Sequence, residues 1–296
     1  MPDRQQDQPT PTPMAIEPRP GDTAPDFAEG SVYFIGNATV LIRFAGFTIL
    51  TDPSFIHKHE QTWLGYGLHT TRLTDPACDL ADLPPLDFVL LSHFHGDHFD
   101  QAAEEGLDKA VPIVTVRQSA ALLEERGFNN TWPLDPWQAQ VITRGEAEVR
   151  ITALPARHGP LMIDFALPDV MGSLLEFSRI GGPPLVRLYI SGDTLLIDEL
   201  AEIPRRFPDI DLGLLHLGGT RVLGVMVSMD DEQGVECLKL VNPRRAIPIH
   251  FDDYDAFTSP LSDFIARAQR EGLGDRMTVL ERGETARFHS RTGATT

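Results

Sequence analysis

Residues 86–100, LDFVLLSHFHGDHFD, carry an apolar run straight into a cluster of metal-ligand side chains. The first half, LDFVLLS, is short and unbroken, as expected of a strand buried on both faces. The second half places His93, His95, Asp97 and His98 in the pattern H-x-H-x-D-H. Side chains two apart on an extended chain point the same way, so His93, His95 and Asp97 can converge, while a turn at Gly96 helps bring His98 round to them. A solvated loop can hold three histidines without any ion, but four ligand-type side chains in six residues at a strand end favour a chelating cluster.

Working outward, such a cluster needs completing ligands, and three candidates stand where an apolar strand gives way to a loop. These are His158 in ALPARHG, Asp193 in YISGDT and His250 in AIPIHFDD. Taken singly, each reads as an ordinary structural histidine or turn aspartate; beside the first cluster they make a set of seven. Asp52, in TILTDP, reads equally as a carboxylate that orients a ligand histidine and as a turn residue before Pro53.

The runs SVYFIG, ATVLIRF and FTILTD, punctuated by Gly36 and Gly46, predict three consecutive, mostly antiparallel strands. Further strands are expected in PIVTV, EVRITALPA, SLLEFSRI, LVRLYISGD, IDLGLLHL and AIPIHF. Helices are expected over RQSAALLEERG and at about 195–206, 229–241 and 260–271, with Ser228 and Asp231 as a start signature for the third. Strands interspersed with helices indicate a layered α/β protein. Residues 54–86 have no sustained period and read as one long loop, which with 217–228 is expected to wall a pocket. Residues 1–28 are Pro-rich, with too little apolar surface to offset their ordering entropy, and read as a flexible arm. One domain is expected over 29–290, followed by a short tail at 291–296.

The 296 residues carry 43 Asp plus Glu against 25 Lys plus Arg, a formal net charge of −18, which disfavours nucleic acid as a partner. No stretch reaches the roughly 20 apolar residues of a membrane span, and the start of the chain lacks the apolar run of a secretory signal, so the expected location is cytoplasmic. Cys78 and Cys237 are read as reduced thiols. Cys78 lacks the neighbours of a zinc motif, and Cys237 falls among Val235, Leu238 and Val241 as a small core residue.

Taken in chain order, H-x-H-x-D-H, then His158, Asp193 and His250, the sequence resembles the metallo-β-lactamase superfamily. GNATVLIRFAGFTILTDP, LPPLDFVLLSHFHGDHFD and LYISGDT resemble the branch that includes N-acyl-phosphatidylethanolamine phospholipase D and L-ascorbate-6-phosphate lactonases. That resemblance implies a four-layer αββα sandwich with a metal site at one edge between the sheets. It implies one divalent ion on His93, His95 and His158, a second on Asp97, His98 and His250, and Asp193 bridging them. Asn37 departs from the histidine that phospholipase-like members often carry.

Imidazole and carboxylate together suit Zn, with Mn, Fe or Ni also compatible. Two such ions would hold a water as hydroxide near neutral pH, with Asp97 and Asp193 as the catalytic carboxylates and Asp193 orienting the nucleophile and relaying a proton. The implied activity is hydrolysis of an ester-type bond, a lactone or phosphodiester, in a small anionic molecule. Three alternatives fit the residues less well. A diiron redox relative would carry H-x-E-x-D where His95 stands; a nuclease is disfavoured by the charge; a metal-free scaffold would not keep the whole ligand set. His69, His216 and Tyr254 are candidate substrate contacts. His57 and His59 imitate a ligand pair, but HKHE lacks the following Asp-His and reads as solvated or substrate-facing.

Overall fold

Period-2 alternation in the apolar strands assigns their residues to separate layers. In β7 (Phe88–Leu90), Phe88 and Leu90 enter one core while Val89, with Leu91 after the strand, enters another. The computed structural model describes residues 12–65, 67–160, 167–222 and 224–291, and among these the strands form two seven-stranded sheets and two small ribbons. The first sheet runs β18 (Thr285–His289), β2 (Glu29–Gly36), β3 (Thr39–Phe44), β4 (Phe47–Thr51), β7, β8 (Ile113–Thr115), β9 (Thr131–Pro133). The second runs β1 (Met14–Ala15), β10 (Ala139–Arg144), β11 (Ala147–Pro155), β12 (Met171–Arg179), β13 (Val186–Ile190), β14 (Leu212–His216), β17 (Arg245–Ile249). The ribbons pair β5 (Gln61–Gly65) with β6 (Leu68–Thr71), and β15 (Arg221–Val222) with β16 (Val225–Met226).

Between the sheets lies a core that includes Phe44, Phe47, Phe88, Ile151, Phe177 and Leu214, with Phe44 and Phe177 meeting edge to face at 5.3 Å. Outside the first sheet, Leu50 and Val89 pack with Ala103 of α1 (Gln101–Gly106) and Leu123 of α2 (Arg117–Glu125). Outside the second, Leu174, Tyr189 and Leu215 pack with Ile203 of α3 (Glu202–Arg206), Leu238 of α4 (Asp231–Val241) and Phe264 of α5 (Leu261–Arg270). The result is the expected αββα sandwich.

Strand direction positions the site. β4, β7, β8 and β9 are mutually parallel, as are β13, β14 and β17, so within each run the C-terminal ends share one edge. Asp52, His93, Asp193 and His250 follow such ends, and His216 closes β14.

Several sequence expectations change. Residues 54–86 hold the β5–β6 ribbon and a 3-10 turn at Leu80–Asp82, elements too short to show a period. The third expected helix starts at Asp231 with Asp230 as its cap, whose carboxylate accepts from Gln233 N–H at 3.0 Å; Ser228 instead donates to Thr220 Oγ1 at 2.9 Å. The segment 195–206 is a 3-10 turn, Asp198–Ala201, followed by the short α3, which contains the helix-limiting Pro204. Within the expected arm, residues 1–11 lie outside the described residues, but Met14 and Ala15 pair with Ile142 and Thr143, and Asp22 pairs with Arg144. The open edge of β10 supplies the partners that the segment lacks in isolation. At the other end Arg291 pairs with Asp211 at 3.0 Å, and 292–296 lie outside the described residues.

Candidate metal centre

Leaving β7, the chain stays extended through His93 and then turns: the N–H groups of His98 and Phe99 both donate to His95 O, at 3.0 and 2.7 Å. That turn swings Asp97 and His98 back over the strand end. Gly96 lies beneath the β5–β6 ribbon, donating to Trp63 O at 2.8 Å. A Cβ there would stand 2.6 Å from Trp63 O and 2.8 Å from Trp63 N, so this glycine is required by close backbone approach.

The seven candidate ligands converge in two groups. His93 Nε2 and His158 Nε2 lie 3.1 and 3.2 Å from His95 Nδ1. Ligand atoms around a tetrahedral ion with bonds of roughly 2.0–2.1 Å are themselves about 3.3 Å apart, so the spacing fits one ion. In the second group His250 Nε2 lies 3.2 Å from His98 Nε2 and 3.3 Å from Asp97 Oδ2. Between the groups, Asp193 sets Oδ1 3.5 Å from His250 Nε2 and Oδ2 3.5 Å from His98 Nε2, and it also clusters with His93. Asp97 Oδ1 and Asp193 Oδ1 are buried without a hydrogen-bond partner, as expected of oxygens facing a cation or water.

On His93, His98 and His250 the outer nitrogen has a partner, which aims the inner one, whereas His158 Nδ1 is buried without a hydrogen-bond partner. His250 Nδ1 donates to Leu217 O at 2.9 Å. Ser92 Oγ lies 3.0 Å from His93 Nδ1 and 3.3 Å from His98 Nδ1. Asp52 sits behind His98, its Oδ1 3.6 Å from Nδ1, while the same oxygen accepts Ser92 N–H at 2.7 Å. Both readings of Asp52 therefore hold: it turns the chain at φ 35°, and it orients a candidate ligand.

Electrostatics divide the groups. Burial holds His93 well below the ordinary imidazole value, His95 at about 3, and His158 below it too, so all three are neutral donors. Burial also presses on His98 and His250, but Asp193 and Asp97 outweigh it and raise both. Burial pushes Asp97 and Asp193 up, and the imidazoles reverse this, leaving both ionised. Two carboxylates among five imidazoles form a donor set suited to divalent first-row ions.

Two candidate substrate contacts are displaced. His216 is fully buried behind His98, stacked on it at 5.9 Å, with Nε2 3.4 Å from Asp52 and Nδ1 3.2 Å from Ser191 Oγ. Tyr254, 1% exposed, puts its hydroxyl 2.8 Å from Ser54 Oγ and packs against the buried Arg72. Neither presents a surface to a substrate, because strand-end position does not reveal which way a ring points. His69 is exposed on β6 opposite Trp63, in the ribbon whose Gly65 lies beside His95. His57 is solvated and pairs with Asp75 and Asp79, and His59 is exposed.

Asn37 emerges as a clamp. Its side-chain amide donates to Asp97 O at 2.6 Å, its carbonyl accepts His250 N–H at 2.8 Å, and its N–H donates to Asp253 at 2.7 Å. The turn signal Gly-Asn and the departure from histidine were its only marks in the sequence. Arg72, buried 18 residues from its partner Ser54, carried none.

Comparison with known proteins bears on this arrangement. A family profile described as beta-lactamase superfamily domain matches residues 48–251, a span holding all seven candidate ligands. A metal-dependent hydrolase of Deinococcus radiodurans is 31% identical over 198 residues, covering 67% of this chain and 78% of the relative. N-acyl-phosphatidylethanolamine-hydrolyzing phospholipase D 1 of Caenorhabditis elegans is 28% identical over 251 residues, covering 80% and 68%. Among solved structures, an isothiocyanate hydrolase from Delia radicum gut bacteria superposes with TM-score 0.72 at 23% identity, covering 88% of this chain and 99% of that one. A possible metal-dependent hydrolase from Veillonella parvula gives 0.70 at 21%, covering 86% and 98%. Both share the fold.

Proposed function

The chain belongs to the β-lactamase superfamily, and on that premise we propose that it is a metal-dependent hydrolase that holds two divalent ions and cleaves an ester-type bond in a small molecule. The observation that carries this reading is the convergence of seven buried donors into two groups joined by Asp193. His93 Nε2, His95 Nδ1 and His158 Nε2 would hold one ion; Asp97, His98 Nε2 and His250 Nε2 would hold the other. When bound, such ions lower the pKa of water toward neutrality and polarise a carbonyl or phosphoryl oxygen.

The chain's own groups supply the rest. Asp97 Oδ1 and Asp193 Oδ1, buried and unpartnered, are acceptors that can orient an attacking water and take its proton, and Asp193 can pass that proton to the leaving oxygen. Asp52, Ser92 and Leu217 O hold the imidazoles in orientation while this occurs. No Ser or Cys nucleophile is needed: Cys237 is buried, its thiol pushed up to about 12 by burial.

A phosphodiester or lactone is the favoured substrate class. The phospholipase D relative supports the first, and the net charge of −18 disfavours polyanions while a metal pair supplies local positive charge to a compact anion. The redox reading has weaker support: a diiron β-hydroxylase from Streptomyces venezuelae shares only the fold, at 17% identity. In the described residues no helix is long and apolar enough to cross a membrane.

The test is elemental analysis of metal-loaded protein together with turnover of bis(4-nitrophenyl) phosphate, a lactone and a thioester. Two ions per chain and hydrolysis that fails in Asp193→Ala are expected. One ion at saturation sinks the dinuclear assignment, and near-normal turnover in Asp193→Ala sinks the bridging role.

A further inference from the structure

Of the walls expected from the sequence, 54–86 brings Gly65 beside His95 and 217–228 brings Leu217 O to His250, but a cavity lies elsewhere along the same edge. It measures about 250 Å³ and opens beside His158 on the side of β8 and β9. Val116 and Leu134, just past the ends of those strands, and Met171 at the start of β12 supply apolar lining. Arg157 also lines it.

The backbone of Arg157 is fixed between two candidate ligands. It precedes His158 directly, its N–H donates to Thr194 Oγ1 at 3.0 Å, and its carbonyl accepts Leu195 N–H at 2.9 Å, the two residues that follow Asp193. Its side chain is another matter. Nε is buried with no hydrogen-bond partner, and the guanidinium makes no ion pair among the described residues. The other charges on the lining are accounted for differently: Asp135 is held in a two-point pair by Arg117, at 2.6 and 2.8 Å, and Asp169 is exposed at the rim. Among the described residues of this lining, Arg157 is thus the cation left without a counter-charge, in a chain with 18 excess acidic charges. A buried donor without a partner calls for one, and here it stands on a cavity through which an oxyanion can reach it.

We propose that this cavity is the subsite for the non-reacting part of the substrate, and that Arg157 determines specificity by binding an oxyanion, a carboxylate or phosphate, carried on a short apolar body. The apolar body lies on Val116, Leu134 and Met171 while the scissile group reaches the metal centre past His158. This rests on the hydrolase reading above and deepens it.

The experiment uses metal-loaded protein and two ester probes with the same six-carbon acyl chain, mono-4-nitrophenyl adipate and 4-nitrophenyl hexanoate, which differ in a terminal carboxylate. Wild type should favour the adipate ester in kcat/KM, chiefly through KM, and Arg157→Gln should lower the adipate-to-hexanoate ratio by about ten- to a hundredfold. Arg157→Lys, which keeps the charge and loses the planar fork, should recover part of it. Calorimetric binding of adipate against hexanoate gives a second readout that needs no turnover, with 6-phosphonohexanoate replacing adipate to tell which oxyanion is preferred. Metal content and thermal unfolding identify a variant that has merely lost its fold. Ratios and binding preferences unchanged in a folded, metal-loaded Arg157→Gln overturn the proposal and leave hydrolysis standing. An Arg157-dependent preference for the dianion in binding, with neither ester cleaved, supports the subsite and removes the support for ester hydrolysis.

Discussion

Replacing Asp52 with Asn isolates the electrostatic part of the support behind the centre. The change keeps side-chain size, tolerates the φ of 35°, and leaves an oxygen to accept the Ser92 N–H now held at 2.7 Å. It removes the negative charge between His98 and His216. Burial alone pushes the Asp52 carboxyl up, yet His216 and His98 bring it to about 2 against the ordinary 3.8. At 1.36 kcal/mol per pH unit, that gap is a net stabilisation of the carboxylate by about 2 kcal/mol, left after the rings it faces have offset its burial. Outer partners of metal-bound histidines carry about 10–100-fold in metal affinity, which the same energy matches. Affinity at the Asp97–His98–His250 position should therefore fall about 10–100-fold in Asp52→Asn. The His93–His95–His158 position, which Asp52 does not touch, should be unchanged. Titration of metal-free protein with Zn against a chromogenic chelator resolves the two steps, and thermal unfolding verifies the fold. A folded variant that binds both ions as wild type does would refute the orienting role.

Three further outcomes follow from the same structure. Because the folded value of Asp52 is depressed, its contribution to metal-free stability is complete above about pH 4 and is lost as pH falls toward 2; acid denaturation of Asp52→Asn should show a flatter limb, and an unchanged limb would count against the pairing. Against burial, the carboxylates of Asp193 and Asp97 hold His98 well above and His250 above the ordinary imidazole value in the metal-free protein, so ligation must expel protons that the free site retains; calorimetry in buffers of different ionisation enthalpy would detect this, and zero release would contradict the assignment. Gly96→Ala would drive a Cβ into Trp63 backbone, destabilising by about 1–3 kcal/mol and lowering Tm by roughly 3–10 °C, whereas an unchanged Tm would mean the ribbon can move away.

The apolar strands and the ligand order were legible because each is a local pattern. LDFVLLS announces a buried strand, H-x-H-x-D-H follows it within a turn, and His158, Asp193 and His250 each end an apolar run. From these came a layered α/β protein and the seven candidate donors; the family resemblance added the αββα arrangement, and composition the acidic charge that disfavours nucleic acid. What remained undecided were matters of direction and distance. Whether Asp52 merely turned the chain or also faced His98, and whether His216 looked into the pocket or into the protein, depend on how two sheets register at one edge. Arg72 and Ser54 meet across 18 residues that include the β5–β6 ribbon, and Asn37 reaches Asp97 across 60 residues. The arm expected to be loose is tied down from Met14 because β10 offers an open edge, and the β5–β6 ribbon is anchored by the Gly96 N–H that donates to Trp63 O. Local sequence encodes which side chains are apolar or can bind a metal. Only packing between distant segments sets which way each points, because side-chain direction is chosen by burial and hydrogen bonding with partners far away in the chain.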